Sequence, residues 1–241
     1  MSEKSAQHYF RTTSGILYSY LICLPLLLAY EILILISQPG QDALIRISVD
    51  VWFKSIFNAF GLNPISTTLL LAALFGGYIV YKKRYEMSSI RKKYFVYMLV
   101  EALMYAVLIS FTIGFFLGSF LNISSDGYLG SLTKLQLIAL SLGAGLYEEL
   151  FFRVILVSAL IYFFNNFFEG KITSTLVAAI VAALIFSTVH YMGEYGDTLQ
   201  LTSFLFRFLF GLALNLVYVI RGFGMAAWTH AIYDLIVIAN T

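Results

Sequence analysis

Residues 145–153 read GLYEELFFR, so two adjacent glutamates, Glu148 and Glu149, and an arginine, Arg153, interrupt an apolar stretch that is otherwise uncharged from Leu135 to Phe164. A charged side chain at bilayer depth costs about 2.5–3.5 kcal/mol even on the lenient insertion scale, so such residues face a partner or a cavity. Glu149 and Arg153 are four residues apart, which puts them on one helical face as an ion pair. Glu148 is turned about 100° away and is left available as a general base. Further along, FSTVHY places His190 four residues after Phe186, and THAIYD places His230 four residues before Asp234. A carboxylate at that spacing can orient an imidazole and fix its tautomer.

Each feature alone has a plainer reading: a buried ion pair that specifies helix packing, a hydrogen-bonded core histidine, a packing pair. Their combination points elsewhere. A free carboxylate, an ion pair and two of the three histidines in the chain come from three separate apolar segments. Convergence on one wet cavity would satisfy all of them. Carboxylate and imidazole in a water-holding cavity are the groups needed to activate water and stabilise an oxyanion.

The elements that must position these groups follow from composition. The 241 residues are 60% hydrophobic and 12% charged, with a mean hydropathy of +0.86. A soluble domain averages about one-quarter charged residues, so a soluble globular class is excluded. The apolar runs are too long for barrel strands and lack strand alternation. The expected fold is all-α, a polytopic transmembrane helical bundle of about seven spans plus one interfacial amphipathic helix. The spans read as 14–37, 65–81, 94–121, 135–164, 172–191, 201–220 and 223–240. They form one integral membrane domain, with N-terminal membrane helices and the interfacial helix over 1–134 and the chemistry-bearing helices over 135–241. In the segment 42–61, Asp42, Arg46, Asp50 and Lys54 recur every four residues, a charged stripe on a helix expected to lie flat in the interface. The polar residues 1–15 are read as a lead into a retained first span. Cys23 is the single cysteine, so no intramolecular disulfide can form.

Orientation follows from basic residues. Six of the fifteen Lys and Arg lie in 82–93, KKRYEMSSIRKK. Placing that segment in the cytoplasm gives ten basic residues inside against three outside, with the N-terminus inside and the C-terminus outside. The polar groups then converge between the membrane centre and its outer half, and the loop 192–200 is expected to form an outer rim.

With order, spacing and apolar setting established, the set Glu148-Glu149-x-x-x-Arg153, Phe186-x-x-x-His190 and His230-x-x-x-Asp234 resembles the three motifs of the CPBP family of intramembrane endopeptidases, the CAAX-protease and bacteriocin-processing (Abi) group. The resemblance covers about residues 135–240. It implies a glutamic-type membrane protease in which Glu148 and His190 activate a water, His230 helps bind the oxyanion, and Glu149 with Arg153 hold the site together. Asp234, acceptor-only when ionised, is expected to orient His230. No cofactor is expected. The implied partners are the lipid bilayer and a membrane-anchored protein or peptide substrate, with no nucleic acid, and the implied setting is a bacterial plasma membrane. Other readings use the same residues. Glu148, His190 and His230 could hold zinc with one open position, although no HExxH is present. Ser141 and Ser187 lack the pattern of a serine nucleophile. Glu31, Glu101 and Arg207 would suit a proton-coupled transporter. A non-enzymatic scaffold or immunity protein would tolerate loss of Glu148.

Overall fold

In hydrocarbon, an apolar run of about twenty residues satisfies its backbone groups by forming a helix. The computed structural model describes residues 3–39, 44–117, 132–193 and 196–240, and all regular structure among them is helical. The order is α1 (Glu3–Thr13), α2 (Ile16–Ser37), α3 (Ser48–Ala59), α4 (Pro64–Lys82), a 3₁₀ turn (Arg84–Ser89), α5 (Lys92–Leu117), α6 (Lys134–Gly143), two π-helical segments (Ala144–Glu148 and Leu150–Val157), α7 (Ser158–Phe164), α8 (Lys171–Val189), α9 (Leu201–Arg221) and α10 (Phe223–Ala239). Asp42 and positions 118–121 of the third expected span lie outside the described residues.

Five helices, α2, α4, α5, α8 and α9, are long and apolar enough to cross a membrane. The remaining two expected spans are built differently. α10 has 17 residues. The run from Lys134 to Phe164 is continuously helical but changes from α to π and back, with the charged motif in the wider part. Local chemistry explains several boundaries. Thr133 and Gln136 form a capping box at the start of α6. Asn63 caps α4 through Ser66 N, with Pro64 in the first turn. Gly222, at φ +84°, supplies the left-handed corner between α9 and α10 that a side chain would strain.

α10 is the central helix. It packs against α2, α5, α6, α9 and the first π segment, and Ala226, Ala227 and Ala231 on it are fully buried. Small residues permit the close approach. A Cβ at Gly145 would come within 2.5 Å of Ala227 O, and one at Gly211 within 2.9 Å of the Phe186 ring. α8 meets α9 along buried Ala178, Ala182 and Ala183, pinned by Asn215 Nδ2 donating to Ala179 O at 2.8 Å.

Two findings extend the sequence reading. First, residues 3–13, read as a polar lead, form α1, and Tyr9 Oη donates to Glu101 at 2.6 Å. Arg221 caps this contact with Nε and Nη2 on the same carboxylate at 2.6 and 2.8 Å. Second, the charged stripe of α3 turns into the bundle while Val51, Trp52 and Ile56 are exposed. Arg46 and Lys54 each bridge Glu31 of α2 and Asp50 of α3 at 2.5–3.1 Å. The i,i+4 pairing is as the spacing predicts. The inward direction is set by Glu31, a carboxylate on a neighbouring helix that sequence spacing alone does not place.

Candidate active site

The π segments carry the motif. Hydrogen bonding from i to i+5 widens the turn beyond 3.6 residues, and such stretches recur at functional sites. Here Glu149 and Arg153 pair at i,i+4, with Arg153 Nη1 2.8 Å from Glu149 Oε1 and both side chains completely buried. The same Oε1 accepts from His230 Nδ1 at 2.7 Å. Glu149 is therefore a bridge between the guanidinium and an imidazole from a different helix. Arg153 also donates to Gly211 O at 3.3 Å and lies 4.7 Å from the centre of the Phe186 ring. Phe186 is the aromatic hub, in edge contact with Phe152, His190 and His230. Arg153 Nε and Nη1 and Glu149 Oε2 are buried without a hydrogen-bond partner among the described residues, a cost that functional sites retain.

Glu148, next along the chain, is partly exposed and makes no hydrogen bond or ion pair with any described residue. It lies within electrostatic range of His230, Glu149, Arg153 and Arg207. His190 caps the C-terminal end of α8 and is also partly exposed. Its Nδ1 is 2.7 Å from Phe186 O. A carbonyl can only accept, so Nδ1 carries the proton, and Nε2 of the neutral ring presents a lone pair. His190 shares the neighbours His230 and Arg207 with Glu148. Asp234 borders the opposite side of His230, its Oδ2 3.6 Å from Nε2. That is ion-pair range, longer than a hydrogen bond, so the closer orienting carboxylate for His230 is Glu149.

The six residues singled out by sequence thus share one neighbourhood. Two more contribute to it. Arg207 of α9 donates to Tyr191 Oη at 2.7 Å and pairs with Asp197, tying down the rim that follows His190. Its separation from the motifs hid this role. Tyr147, inside GLYEE, donates to Glu31 at 3.1 Å and links the α3 charge network to the residue beside Glu148. Ser141 and Ser187 donate to Leu137 O and Phe204 O. Glu31, Glu101 and Arg207 each sit in a separate ion pair. Among the described residues, no group of three or more His, Cys, Asp and Glu side chains is arranged to hold a metal ion.

Residues 130–236, less than half of the chain, match the family model described as type II CAAX prenyl endopeptidase Rce1-like. No curated protein and no solved structure matches. The matched residues contain all three motifs and the helices that bring them together. Long apolar helices, an acid–imidazole cluster between them and this match make residues 130–236 of an integral membrane protein similar to the type II CAAX prenyl endopeptidases.

Proposed function

We propose that the protein is an intramembrane endopeptidase in which Glu148 and His190 activate a water. The observation that carries this reading is the division of labour between adjacent glutamates. Glu149 is fully buried and doubly engaged, whereas Glu148 is partly exposed and makes no hydrogen bond or ion pair with any described residue. A water between Glu148 and the Nε2 lone pair of His190 would have two acceptors for its protons. Glu148 takes one proton as the water oxygen bonds to the carbonyl carbon. The tetrahedral oxyanion forms, Glu148 returns the proton to the amide nitrogen, and the C–N bond breaks.

His230 can bind the oxyanion from Nε2 only when both ring nitrogens are protonated, since Nδ1–H is committed to Glu149. Glu149 on one side and Asp234 on the other supply the negative charge that accompanies such a cation. Arg153 holds Glu149, so it acts through a carboxylate and not on the substrate.

The substrate is a membrane-associated protein or peptide. A peptide bond inside an intact helix is shielded by its own hydrogen bonds, so cleavage requires an unwound segment or a flexible tail near a helix end. The test compares new N-termini in membranes from cells producing the wild type or Glu148→Gln. Products present only with the wild type are expected. Identical product sets would favour a scaffold and overturn the protease assignment.

A further inference from the structure

A cavity of about 460 Å³ opens where the start of α2 meets α1, the end of α4 and the following 3₁₀ turn. Helix ends cluster here, the start of α2 and the end of α4 among them. Arg11, His8 and Lys83 line it, with Glu86 as the one acid. Lys83 is committed to Glu86 at 2.6 Å, whereas Arg11 makes no ion pair or hydrogen bond with any described residue. Lys82, Arg84, Arg91, Lys92 and Lys93 nearby in sequence also have no carboxylate partner among the described residues. This rim therefore carries positive charge that the protein does not neutralise.

A second observation points to an occupant. Tyr18 lines the cavity and is 2% exposed. Its hydroxyl accepts from Arg91 N at 2.8 Å, and it donates to no described residue. A buried hydroxyl proton on a residue that lines a cavity can be satisfied by an acceptor held there. No side-chain oxygen caps the first turn of α2, whose Gly15, Leu17 and Tyr18 also line the space, so amide donors and the positive end of the helix dipole add to the basic groups. Leu17 in the lining, and Ile16 beside it at 57% exposure, provide an apolar margin.

We propose that this cavity binds the phosphate-bearing headgroup of an anionic membrane lipid. Arg11 supplies the charge-assisted donor, Tyr18 a directional one, and the surrounding unpaired Lys and Arg the attraction toward an anionic surface. Arg11 to Ser89 lies outside the region matched to the protease family, so the site is independent of the catalytic reading.

The test uses the full chain purified in a non-ionic detergent and titrated with phosphatidylglycerol, phosphatidylcholine or inorganic phosphate. Retained lipid is read by native mass spectrometry and the thermal midpoint is measured alongside. Phosphatidylglycerol is expected to bind about tenfold better than phosphatidylcholine, the effect of one charge-assisted contact. Arg11→Gln should lose most of that preference and Arg11→Lys should restore part of it. Tyr18→Phe should weaken binding of both lipids, and Lys171→Gln, outside the cavity, should change nothing. Equal retention of the two lipids, or wild-type binding by the exposed-site variant Arg11→Gln, would overturn the proposal. Full stabilisation and displacement of lipid by millimolar inorganic phosphate would make the ligand free phosphate and refute the lipid assignment.

Discussion

The bridge from Arg153 through Glu149 to His230 makes an asymmetric prediction about stability. In Glu149→Gln the side chain keeps its shape and an oxygen that can still accept from His230 Nδ1. Arg153, completely buried, then faces a neutral amide in place of a carboxylate, with Gly211 O at 3.3 Å and the Phe186 ring at 4.7 Å. An uncompensated buried cation costs about 3–5 kcal/mol. In Arg153→Met the position of Glu149 is different, because His230 remains 2.7 Å away as a donor, and as a counter-cation when doubly protonated. The loss there is one long carbonyl contact and the ring contact, about 1–3 kcal/mol. Replacing both partners removes the unpaired charge, so Glu149→Gln/Arg153→Met should be more stable than Glu149→Gln alone, a coupling of about 2 kcal/mol. At roughly 2–4 °C per kcal/mol for a chain of this size, the single variants should lose about 6–20 °C and about 2–12 °C. The measurement is thermal unfolding in one detergent, followed by the fluorescence of the two tryptophans, Trp52 and Trp228. Additive losses, or a milder effect of Glu149→Gln than of Arg153→Met, would refute the argument that Glu149 balances two cations.

Three further outcomes are expected. Glu148→Gln should lower turnover by about 10²–10⁴-fold while leaving the thermal midpoint near wild type, because Glu148 has no protein partner to lose; near-normal turnover would remove it as the base. Proteolysis should persist in EDTA or phenanthroline, and purified protein should lack stoichiometric zinc; loss of activity that zinc alone restores would establish a metal mechanism. In a Cys23→Ser background, Met192→Cys, an exposed position on the rim after His190, should react with an impermeant reagent added outside cells, and Ser89→Cys should not; the reverse pattern would place the site on the cytoplasmic side.

How far the sequence carries depends on whether a relationship is local. Glu149 and Arg153 can be paired from their spacing, and so can Arg46, Asp50 and Lys54, because i,i+4 neighbours meet on any helix. Tyr9 with Glu101, Glu31 with Lys54 and His230 with Glu149 join residues on different helices, and no spacing rule ranks one partner above another. Asp234 illustrates the difference. Its spacing makes it the natural orienter of His230, yet the tertiary contact from Glu149 is shorter, 2.7 Å against 3.6 Å. The direction of the α3 stripe was hidden for the same reason. Amphipathic periodicity reports that a helix has two faces, and the buried face is decided by the neighbour, here Glu31. The α-to-π change across Ala144–Val157 leaves no periodic signature in an all-apolar run, so the width of that helix is legible only in three dimensions.

A buried ion pair placed only for packing should be neutral, since an excess charge in low dielectric is expensive. Two clusters meet that condition. Glu31 and Asp50 face Arg46 and Lys54, and Glu101 faces Arg221. The cluster between α10 and the π segments does not. Glu148, Glu149 and Asp234 face one guanidinium without another carboxylate, Arg153, and one imidazole, His230, which is charged only when doubly protonated, while Arg207, also within range of Glu148, is paired with Asp197. The surplus falls on Glu148, the carboxylate with no hydrogen bond or ion pair among the described residues and with exposed surface. A packing role explains the balanced clusters and leaves this one unexplained. A base that must hold and release a proton during turnover has to sit where protein partners do not fix its charge, and Glu148 is the residue so placed.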